Sequence, residues 1–213
     1  MKTGLINLNS AGRLRATKLV LGLGLGLLTL LPNMNAAPDP KKATPATQLA
    51  TIGGGCFWCL EAVFETIEGV KSVTSGYAGG RTTNPTYEQI CDGDTGHAEV
   101  VQIEFDPAKI TYEKLLETFW TAHNPTTPNQ QGADVGTQYR SIILHHDEAQ
   151  KRAAEQAKQT AAAQFPRPIV TEIVPLTKFY KAEEYHQDYF RKNPNARYCT
   201  LVIRPKLEKL KKR

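Results

Sequence analysis

The order of hydrophobic patterns along the chain constrains its fold more than any other feature of the sequence. Alternation with a period of two indicates a strand, whereas apolar residues spaced three and four positions apart indicate a helix. Strand patterns occur at 49–52, 70–77, 98–105, 141–145 and 169–175. Helical patterns occur at 60–67, 111–124 and 147–164. The domain therefore begins strand, helix, strand, strand, helix, strand.

This order predicts an α+β fold, namely a ferredoxin-like two-layer α/β sandwich with extra helices and an irregular C-terminal tail. Val101, Ile103 and Phe105 of the third strand are expected on one face of the sheet. Thr111 and Asp147 are expected to cap the next two helices, because their side chains accept hydrogen bonds from helix N-terminal N–H groups. A doubly wound sheet is the alternative, but two consecutive strands without an intervening helix disfavour it.

The N-terminal segment has the pattern of a signal for export. The basic residues Arg13, Arg15 and Lys18 lie just before an apolar run at 19–31, Pro32 ends the run, and Asn35-Ala36-Ala37 supplies small residues. This pattern predicts a secretory signal peptide over 1–36 and an exported, periplasmic or otherwise extracytoplasmic protein. An uncleaved membrane anchor is the alternative, although the run is shorter than the roughly 20 apolar residues of a spanning helix.

Residues 37–48 are rich in Pro, Ala, Thr and Lys, which is typical of a flexible linker, and 49–213 are expected to form one folded domain. The full chain has 26 Lys and Arg against 21 Asp and Glu. Four basic residues and no acidic residue precede residue 37, so the exported chain would carry 22 basic and 21 acidic side chains. The basic balance therefore reflects export and does not indicate nucleic-acid binding. The basic cluster at 206–213 is expected to be a solvated helical end.

Cys56 stands where the first strand pattern meets the first helical pattern, directly after Gly53-Gly54-Gly55. The first N–H groups of a helix lack intrahelical partners and carry partial positive charge, so they stabilise a thiolate and lower the pKa of a thiol. The glycines permit a sharp bend and leave the sulfur accessible. Phe57 and Trp58 follow, either as core residues or as an apolar wall beside the sulfur. The junction predicts a reactive cysteine.

Cys59 gives Cys56 a Cys-x-x-Cys spacing, which has several interpretations. A thioredoxin-like redox pair is one, and it would make the protein a general disulfide oxidoreductase. A zinc site completed by Cys91 and His97 is another, and it would make the protein a non-enzymatic zinc-binding module. No second Cys-x-x-Cys and no His-x-x-x-His pair supports it. A structural disulfide is the third, because an oxidising compartment permits one.

Five motifs in order carry a resemblance to a known family. They are Gly55-Cys56-Phe57-Trp58, Gly76-Tyr77-Ala78-Gly79-Gly80, Asn84-Pro85-Thr86-Tyr87, Gly96-His97-Ala98-Glu99 and Gly136-Thr137-Gln138-Tyr139-Arg140-Ser141. Together they resemble peptide methionine sulfoxide reductase A over about residues 50–205. The resemblance implies an enzyme that uses thiols to reduce the S epimer of methionine sulfoxide, peptide-bound or free, and so repairs oxidised proteins.

By that resemblance Cys56 is the nucleophile, and Phe57 with Trp58 bounds a pocket for the substrate methyl group. The groups implied around the sulfoxide oxygen are Tyr87, Glu99, Asp134 and Tyr139. A sulfoxide oxygen leaves only when protonated, so Glu99 would act as the general acid if a sheltered site raises its pKa. The tyrosine hydroxyls would hold the oxygen, and Asp134 would orient partners or water. Without the resemblance, a solvated strand carboxylate and ordinary packed tyrosines would be expected.

The implied cycle uses no bound metal or other cofactor. Cys56 would become a sulfenic acid, a second cysteine would convert it to a disulfide, and a thioredoxin-like dithiol donor would reduce that disulfide. Oxidised proteins, methionine sulfoxide and this donor are the implied partners, with no nucleic acid, and the enzyme is expected to be a monomer.

Two cysteines are candidates for the resolving role. Cys199 lies at the end of 193–199, which resembles the family's C-terminal segment, and it is favoured because a mobile tail closes a long loop at modest entropic cost. Cys59 is the alternative, either as the direct partner or as a relay to Cys199, although many family members have Gly there. Cys91 is expected to be a bystander.

The histidines are expected to be structural. His97 precedes Glu99 and is close enough in sequence to tune it, and His186 lies on a predicted amphipathic helix. A structural hydrogen bond is the favoured role for each. His145-His146 is expected to end a strand and not to bind a metal.

Overall fold

The structure is a computed structural model and describes residues 47–212. The predicted signal peptide at 1–36 lies outside the described residues, as do all but the last two positions of the predicted linker, so both stay predictions. Within 47–212 no helix is both long enough and apolar enough to cross a membrane.

Most strands of the described chain belong to one sheet. The strands are β1 (Gln48–Gly53), β2 (Val70–Ala78), β3 (Ala98–Phe105), β4 (Gln130–Gln131), β5 (Asp134–Val135), β6 (Ile142–His145), β7 (Glu172–Pro175) and β8 (Phe179–Lys181). β4 and β5 form a small hairpin, and the other six follow the order β7-β6-β1-β3-β2-β8. Neighbours are antiparallel except β6 and β7. The central β6-β1-β3-β2 is ferredoxin-like, which confirms the predicted fold over the parallel, doubly wound alternative.

The described residues contain six α-helices. They are α1 (Phe57–Phe64), α2 (Tyr87–Asp92), α3 (Tyr112–Ala122), α4 (Glu148–Ala162), α5 (Tyr189–Lys192) and α6 (Arg204–Lys211). α1 links β1 to β2 and α3 links β3 to β6, so each connection passes one intervening strand. Both predicted caps are confirmed. The Thr111 hydroxyl accepts from the Lys114 N–H at 3.3 Å, and the Asp147 carboxylate accepts from the Gln150 N–H at 2.8 Å.

The main core lies between the sheet and helices α1 and α3. Val101, Ile103 and Phe105 are fully buried on this side, as predicted. A smaller cluster on the other side of the sheet contains Ala78, Ala98, Val100, Ile142 and Leu144. Because successive strand residues alternate between faces, Glu99 belongs to the same face as Val101, toward α1.

One helix, α2, and three short strands, β4, β5 and β8, were not expected from the sequence. α2 occupies residues expected to be part of a loop after Asn84-Pro85. The Thr86 hydroxyl accepts from the Gln89 N–H at 3.3 Å, and the Gln89 side chain accepts from the Thr86 N–H at 3.0 Å. This reciprocal capping box stabilises the helix start, and its Thr-x-x-Gln pattern is readable in the sequence.

The C-terminal tail consists of short elements, in agreement with the predicted irregularity. A 3₁₀ turn at Glu184–His186 precedes α5, and a π-helix at Cys199–Ile203 continues into α6. His186 therefore lies in a 3₁₀ turn and not on an amphipathic helix, which corrects the expectation. α6 covers most of the basic cluster, as predicted, and its Leu207 and Leu210 pack against the core.

Candidate active site

The three glycines at the end of β1 form a bend that side chains would obstruct. A Cβ on Gly53 would lie 2.6 Å from the Glu99 carbonyl oxygen, and a Cβ on Gly55 would lie 2.6 Å from Cγ of Gln131. Gly55 also has φ +89°, in the left-handed region that strains other residues. Cys56 follows as the N-cap residue of α1 and is 8% exposed. The bend therefore places the sulfur at a helix start, as predicted.

Glu99 on β3 faces this helix start. Its Oε2 accepts a hydrogen bond from the Phe57 backbone N–H at 3.0 Å, and the residue is 1% exposed. Burial raises the pKa of Glu99 to about 8, against the opposing effect of the Phe57 N–H, and the charges of Asp134 and Cys59 add to the rise. At neutral pH Glu99 is therefore mostly a neutral carboxylic acid next to the first turn of α1.

Tyr87 and Tyr139 lie around this acid. Tyr87 is the first residue of α2. Tyr139 is the last residue of a 3₁₀ turn, and its backbone carbonyl accepts a hydrogen bond from the Gly55 N–H at 3.2 Å. Burial raises the pKa of both phenols, and the Glu99 carboxylate is near enough for its charge to add to each rise. Both hydroxyls thus remain protonated donors, and the sequence-predicted pair is brought together with Glu99.

Asp134 reaches the cysteines through a third tyrosine. Its Oδ2 accepts a hydrogen bond from the Tyr198 hydroxyl at 2.7 Å. The same hydroxyl lies 3.7 Å from Sγ of Cys59. Tyr198 therefore links the β4–β5 hairpin to α1 across the site.

All four cysteines lie in the described residues and are free thiols. Cys56 and Cys59 lie one helical turn apart, with the Cys59 N–H donating to the Cys56 carbonyl at 3.1 Å, and their thiols are close enough to shift each other's pKa. Cys199 is fully buried at the first position of the π-helix, near enough to Cys59 for their charges to interact. Cys91 is exposed and hydrogen-bonds to Tyr87. Cys59 thus lies next to Cys56 and near Cys199, the two cysteines with which it could form a disulfide.

The prediction that the helix start lowers the pKa of Cys56 is wrong for this conformation. Burial raises the pKa of Cys56 well above its ordinary value, and the Cys59 hydrogen bond and the Glu99 charge raise it further. The pKa of Cys59 is lowered to about 7, first by the hydrogen bond from Cys56 and also by the charge of Lys206. Desolvation therefore outweighs the favourable position of Cys56 at the helix start.

The two predicted pocket residues differ in exposure. Phe57 is 1% exposed, and its ring centroid lies 5.9 Å from that of Tyr77 and 5.0 Å from that of His186. Trp58 is only half-buried, and it stacks on Tyr189 with ring centroids 3.6 Å apart and an interplanar angle of 6°. Trp58 therefore has surface for a substrate group, whereas Phe57 also serves as core.

The expected structural hydrogen bonds are present at His97 but not at His186. Nδ1 of His97 accepts from the Gly80 N–H at 3.0 Å, and its Nε2 lies 2.8 Å from the Thr82 carbonyl, which confirms a structural role. His186 is buried, but neither ring nitrogen has a hydrogen-bond partner, so the expectation is wrong there. Its ring packs among aromatic side chains instead. β6 ends at His145, as predicted.

The zinc interpretation required Cys91 and His97 to join the Cys56–Cys59 pair. Cys91 instead hydrogen-bonds to Tyr87, and His97 contacts backbone atoms. Across the described residues, no group of three or more His, Cys, Asp or Glu side chains is arranged to hold a metal ion. The geometry therefore gives the zinc interpretation no support.

Sequence reasoning missed Glu61, Tyr189 and Tyr198. A signal existed for Glu61, because it is a charged residue within the apolar run of α1. Tyr198 had only its position beside Cys199, and Tyr189 had none, because its stack on Trp58 depends on the path of the tail.

A cysteine pair at a helix start, a neutral carboxylic acid and two protonated phenols define a class of site. The cysteines can exchange two electrons through a disulfide, and the acid can protonate an oxygen that is leaving. The fold and the site are therefore those of a thiol-dependent oxidoreductase with its own general acid.

Comparison with known proteins identifies the family. The sequence model of the family described as peptide methionine sulfoxide reductase matches residues 48–213. A peptide methionine sulfoxide reductase MsrA from Sulfolobus acidocaldarius is 56% identical over 165 residues, which cover 78% of this chain and 94% of that protein. Mxr1 from Saccharomyces cerevisiae in reduced form matches with a TM-score of 0.70 and 37% identity, over 73% of this chain and 91% of that one. Mxr1 in complex with Trx2 matches with a TM-score of 0.51 and 26% identity, over 70% and 90%.

The chain belongs to the peptide methionine sulfoxide reductase family, which confirms the resemblance seen in its motifs. It is an oxidoreductase whose reaction is the reduction of methionine sulfoxide, and it acts in the repair of oxidised proteins.

Proposed function

We propose that the protein reduces the S epimer of methionine sulfoxide, peptide-bound or free, with Cys56 as nucleophile and Glu99 as general acid. The observation that carries the proposal is a buried carboxyl with a pKa of about 8 beside a cysteine at a helix start. One fixed direction of attack, with an apolar wall on one side and polar groups on another, accepts one hand of a chiral sulfur. The choice of S follows from the family.

In the first step Sγ of Cys56 attacks the sulfoxide sulfur while Glu99 protonates the oxygen as its bond to that sulfur breaks. The oxygen moves to Cys56 as a sulfenic acid, and methionine leaves as the sulfide. Cys56 loses two electrons and the methionine sulfur gains them. Glu99 recovers the proton that the Cys56 thiol gives up, so the step is balanced. The Cys59 thiolate, one helical turn from Cys56, assists removal of that proton.

The remaining predicted residues bind the substrate in this proposal. The Tyr87 and Tyr139 hydroxyls donate hydrogen bonds to the sulfoxide oxygen, and these strengthen as charge develops on it. Asp134 orients Tyr198 through their 2.7 Å hydrogen bond. Trp58 contacts the substrate methyl group, and buried Phe57 supports it.

In the second step the Cys59 thiol condenses with the Cys56 sulfenic acid, which forms a disulfide and releases water. The position of Cys59 one helical turn from Cys56, with the two thiols shifting each other's pKa, supports Cys59 as the first partner. Cys199 then attacks Cys59, which moves the disulfide to Cys59–Cys199 and frees the Cys56 thiol. The proximity of Cys199 to Cys59 supports this relay. Direct pairing of Cys56 with Cys199, favoured from the sequence, stays a competing prediction.

In the third step an external dithiol reduces the disulfide by exchange, and no bound cofactor takes part. The structural neighbour Mxr1 forms a complex with Trx2, which supports a thioredoxin-like donor for this chain. The leader pattern at 1–36 supports export, so the donor would act outside the cytoplasm. N-terminal sequencing of the protein from fractionated cells tests the export proposal, since a start near residue 37 is expected.

The central test is replacement of the nucleophile. Cys56→Ser should abolish sulfoxide reduction without changing the fold, because serine is a far weaker nucleophile toward sulfur. A synthetic sulfoxide peptide is incubated with enzyme and dithiothreitol, and methionine formation is followed by mass spectrometry. Cys91→Ser is the matched control and should retain turnover. Substantial turnover by Cys56→Ser would end the proposal.

The resolving route is tested by disulfide mapping after one turnover. Wild-type enzyme should show Cys59–Cys199, and Cys199→Ser should accumulate Cys56–Cys59. Cys59→Ser should release one equivalent of methionine, more slowly than wild type because the Cys59 thiolate no longer assists, and should then stop with a thioredoxin-like donor because the first resolving cysteine is missing. Full turnover of Cys59→Ser through a Cys56–Cys199 disulfide would show that the relay is wrong.

A further inference from the structure

Glu61 is a buried carboxylate that the proposed reaction does not use. It lies on α1, one turn after Trp58, and is 1% exposed. Its hydrogen-bond partners are neutral: the Ser75 hydroxyl at 3.1 Å, the Tyr189 backbone N–H at 3.1 Å and the Asp188 backbone N–H. A carboxylate can accept several hydrogen bonds at once, so one side chain satisfies all three donors.

These hydrogen bonds anchor the tail where it enters α5. Asp188 has φ 55°, in the left-handed region, so its backbone conformation has to be stabilised by its surroundings. The adjacent Gln187 side chain accepts from the Ser75 N–H at 3.0 Å and donates to the Ser75 carbonyl at 3.0 Å. Residues 187–189 are thereby attached to β2 and to α1 through buried hydrogen bonds.

The anchored segment ends at the ring that stacks on Trp58. The Tyr189 N–H reaches Glu61, while the Tyr189 ring lies 3.6 Å from the Trp58 ring, centroid to centroid. Glu61 and Trp58 are three residues apart on one helix, so backbone and ring of Tyr189 contact the same side of α1. The position of the Tyr189 ring is therefore determined by an acceptor on the helix that carries Trp58.

We propose that Glu61 is a positioning residue for sulfoxide reduction: by accepting the backbone N–H groups of Asp188 and Tyr189, it holds the Tyr189 ring on Trp58 and so shapes the methyl pocket. This inference rests on the proposed role of Trp58 in substrate binding. An acceptor oxygen at this position is what matters, and not the negative charge. Leucine of similar volume should therefore fail where glutamine succeeds.

The experiment uses the single-tryptophan background Trp120→Phe, because the chain has 2 tryptophans and the other is Trp58. Glu61→Leu should shift Trp58 emission to the red and raise its acrylamide quenching. It should also raise KM for a sulfoxide peptide about three- to tenfold with a smaller change in kcat, as expected when a binding contact is misplaced. Glu61→Gln should restore both properties. Glu68→Leu, at an exposed position after α1, is the matched control and should change neither.

A double-mutant cycle tests whether the effect passes through the Tyr189 ring. Tyr189→Leu should reproduce the emission shift and the KM increase, and adding Glu61→Leu should raise KM no further. Three outcomes would each overturn the proposal. They are additive effects of the two substitutions on KM, an unchanged KM in Glu61→Leu, and failure of Glu61→Gln to restore the KM and the Trp58 emission. If Glu61→Leu does not fold, Glu61→Ala replaces it with the same expectations. Trp58→Ala checks the underlying pocket: an unchanged KM there would refute the role of Trp58, whereas an emission shift in Glu61→Leu would still support the anchoring.

Discussion

The regions around Glu99 and Glu61 each bury one carboxyl group against α1, and their environments differ. Both residues are 1% exposed. Glu99 accepts one backbone N–H, from Phe57, and faces the cysteine pair. Glu61 accepts three donors and faces β2 and the tail. Burial raises the pKa of both, but three hydrogen bonds oppose the rise at Glu61 and only one opposes it at Glu99.

This comparison shows how the number of donors separates an acid from an anchor. A buried carboxyl with few donors keeps its proton and can give it to a substrate. A buried carboxyl with many donors accepts their hydrogen bonds and so fixes the position of the chain segment that carries them. Substitution of each carboxyl group, pH dependence and stability test this distinction.

The largest effect is expected from Glu99→Gln. The amide cannot donate the proton that the sulfoxide oxygen needs, so the first step should slow by about 10²–10⁴-fold. Reduction of the enzyme disulfide by the donor should change little, because that step does not involve the oxygen. Single-turnover methionine formation and donor oxidation are measured separately, with Glu104→Gln on the same strand as control. If Glu99→Gln forms methionine at the wild-type single-turnover rate, Glu99 is not the general acid.

The pH dependence of the first step is expected to show a smaller but diagnostic effect. A carboxyl with a pKa of about 8 is protonated below that pH and loses its proton above it. The rate constant should therefore fall about tenfold per pH unit above 8. On the acidic side it should rise toward pH 7, as the Cys59 thiol with its pKa of about 7 ionises. Stopped-flow measurements from pH 6 to 9.5 test both limbs. A rate independent of pH between 6 and 9.5 would contradict both assignments.

The smallest effects are expected on the free energy of unfolding. Here Glu61→Leu should have the larger effect and Glu99→Gln the smaller one, the reverse of their order in activity. Glu61→Leu leaves three donors without an acceptor and should cost about 1–3 kcal/mol of unfolding free energy. Glu99→Gln keeps an oxygen for the Phe57 N–H and should cost less than about 1 kcal/mol. Wild type should also lose stability relative to Glu99→Gln as pH rises from about 4.5 to 8, because only its unfolded state readily releases the Glu99 proton over that range. Urea unfolding measures the free energy of unfolding of each variant and its dependence on pH. A larger loss of unfolding free energy in Glu99→Gln than in Glu61→Leu would invalidate the distinction.

Local chemistry accounts for the parts of the site that could be predicted from the sequence. Cys56 lies at a helix start because three glycines permit the bend after β1, and this is readable from neighbouring residues. The alternation that buries Val101 and Ile103 also puts Glu99 on the core face, since strand residues two apart share a face. The cap at Thr111 likewise depends on a residue three positions away.

What only the tertiary structure decided depends on residues far apart in the chain. The Glu61 contact with Tyr189 spans 128 positions, and the contact of Cys59 with Tyr198 spans 139. Neither has a local signal, because a hydrogen bond between distant residues depends on how the tail packs. The pKa of Cys56 is the sharpest case. Its helix position is a local property that favours a thiolate, but burial by the folded domain raises its pKa and outweighs the helix end. By itself the sequence placed Cys56 at the start of α1 and Glu99 on the strand face toward it, through patterns of period two and period three to four, and the family motifs added Tyr87 and Tyr139. Their protonation states and hydrogen-bond partners were decided only when the chain packed, because desolvation depends on everything that surrounds a group.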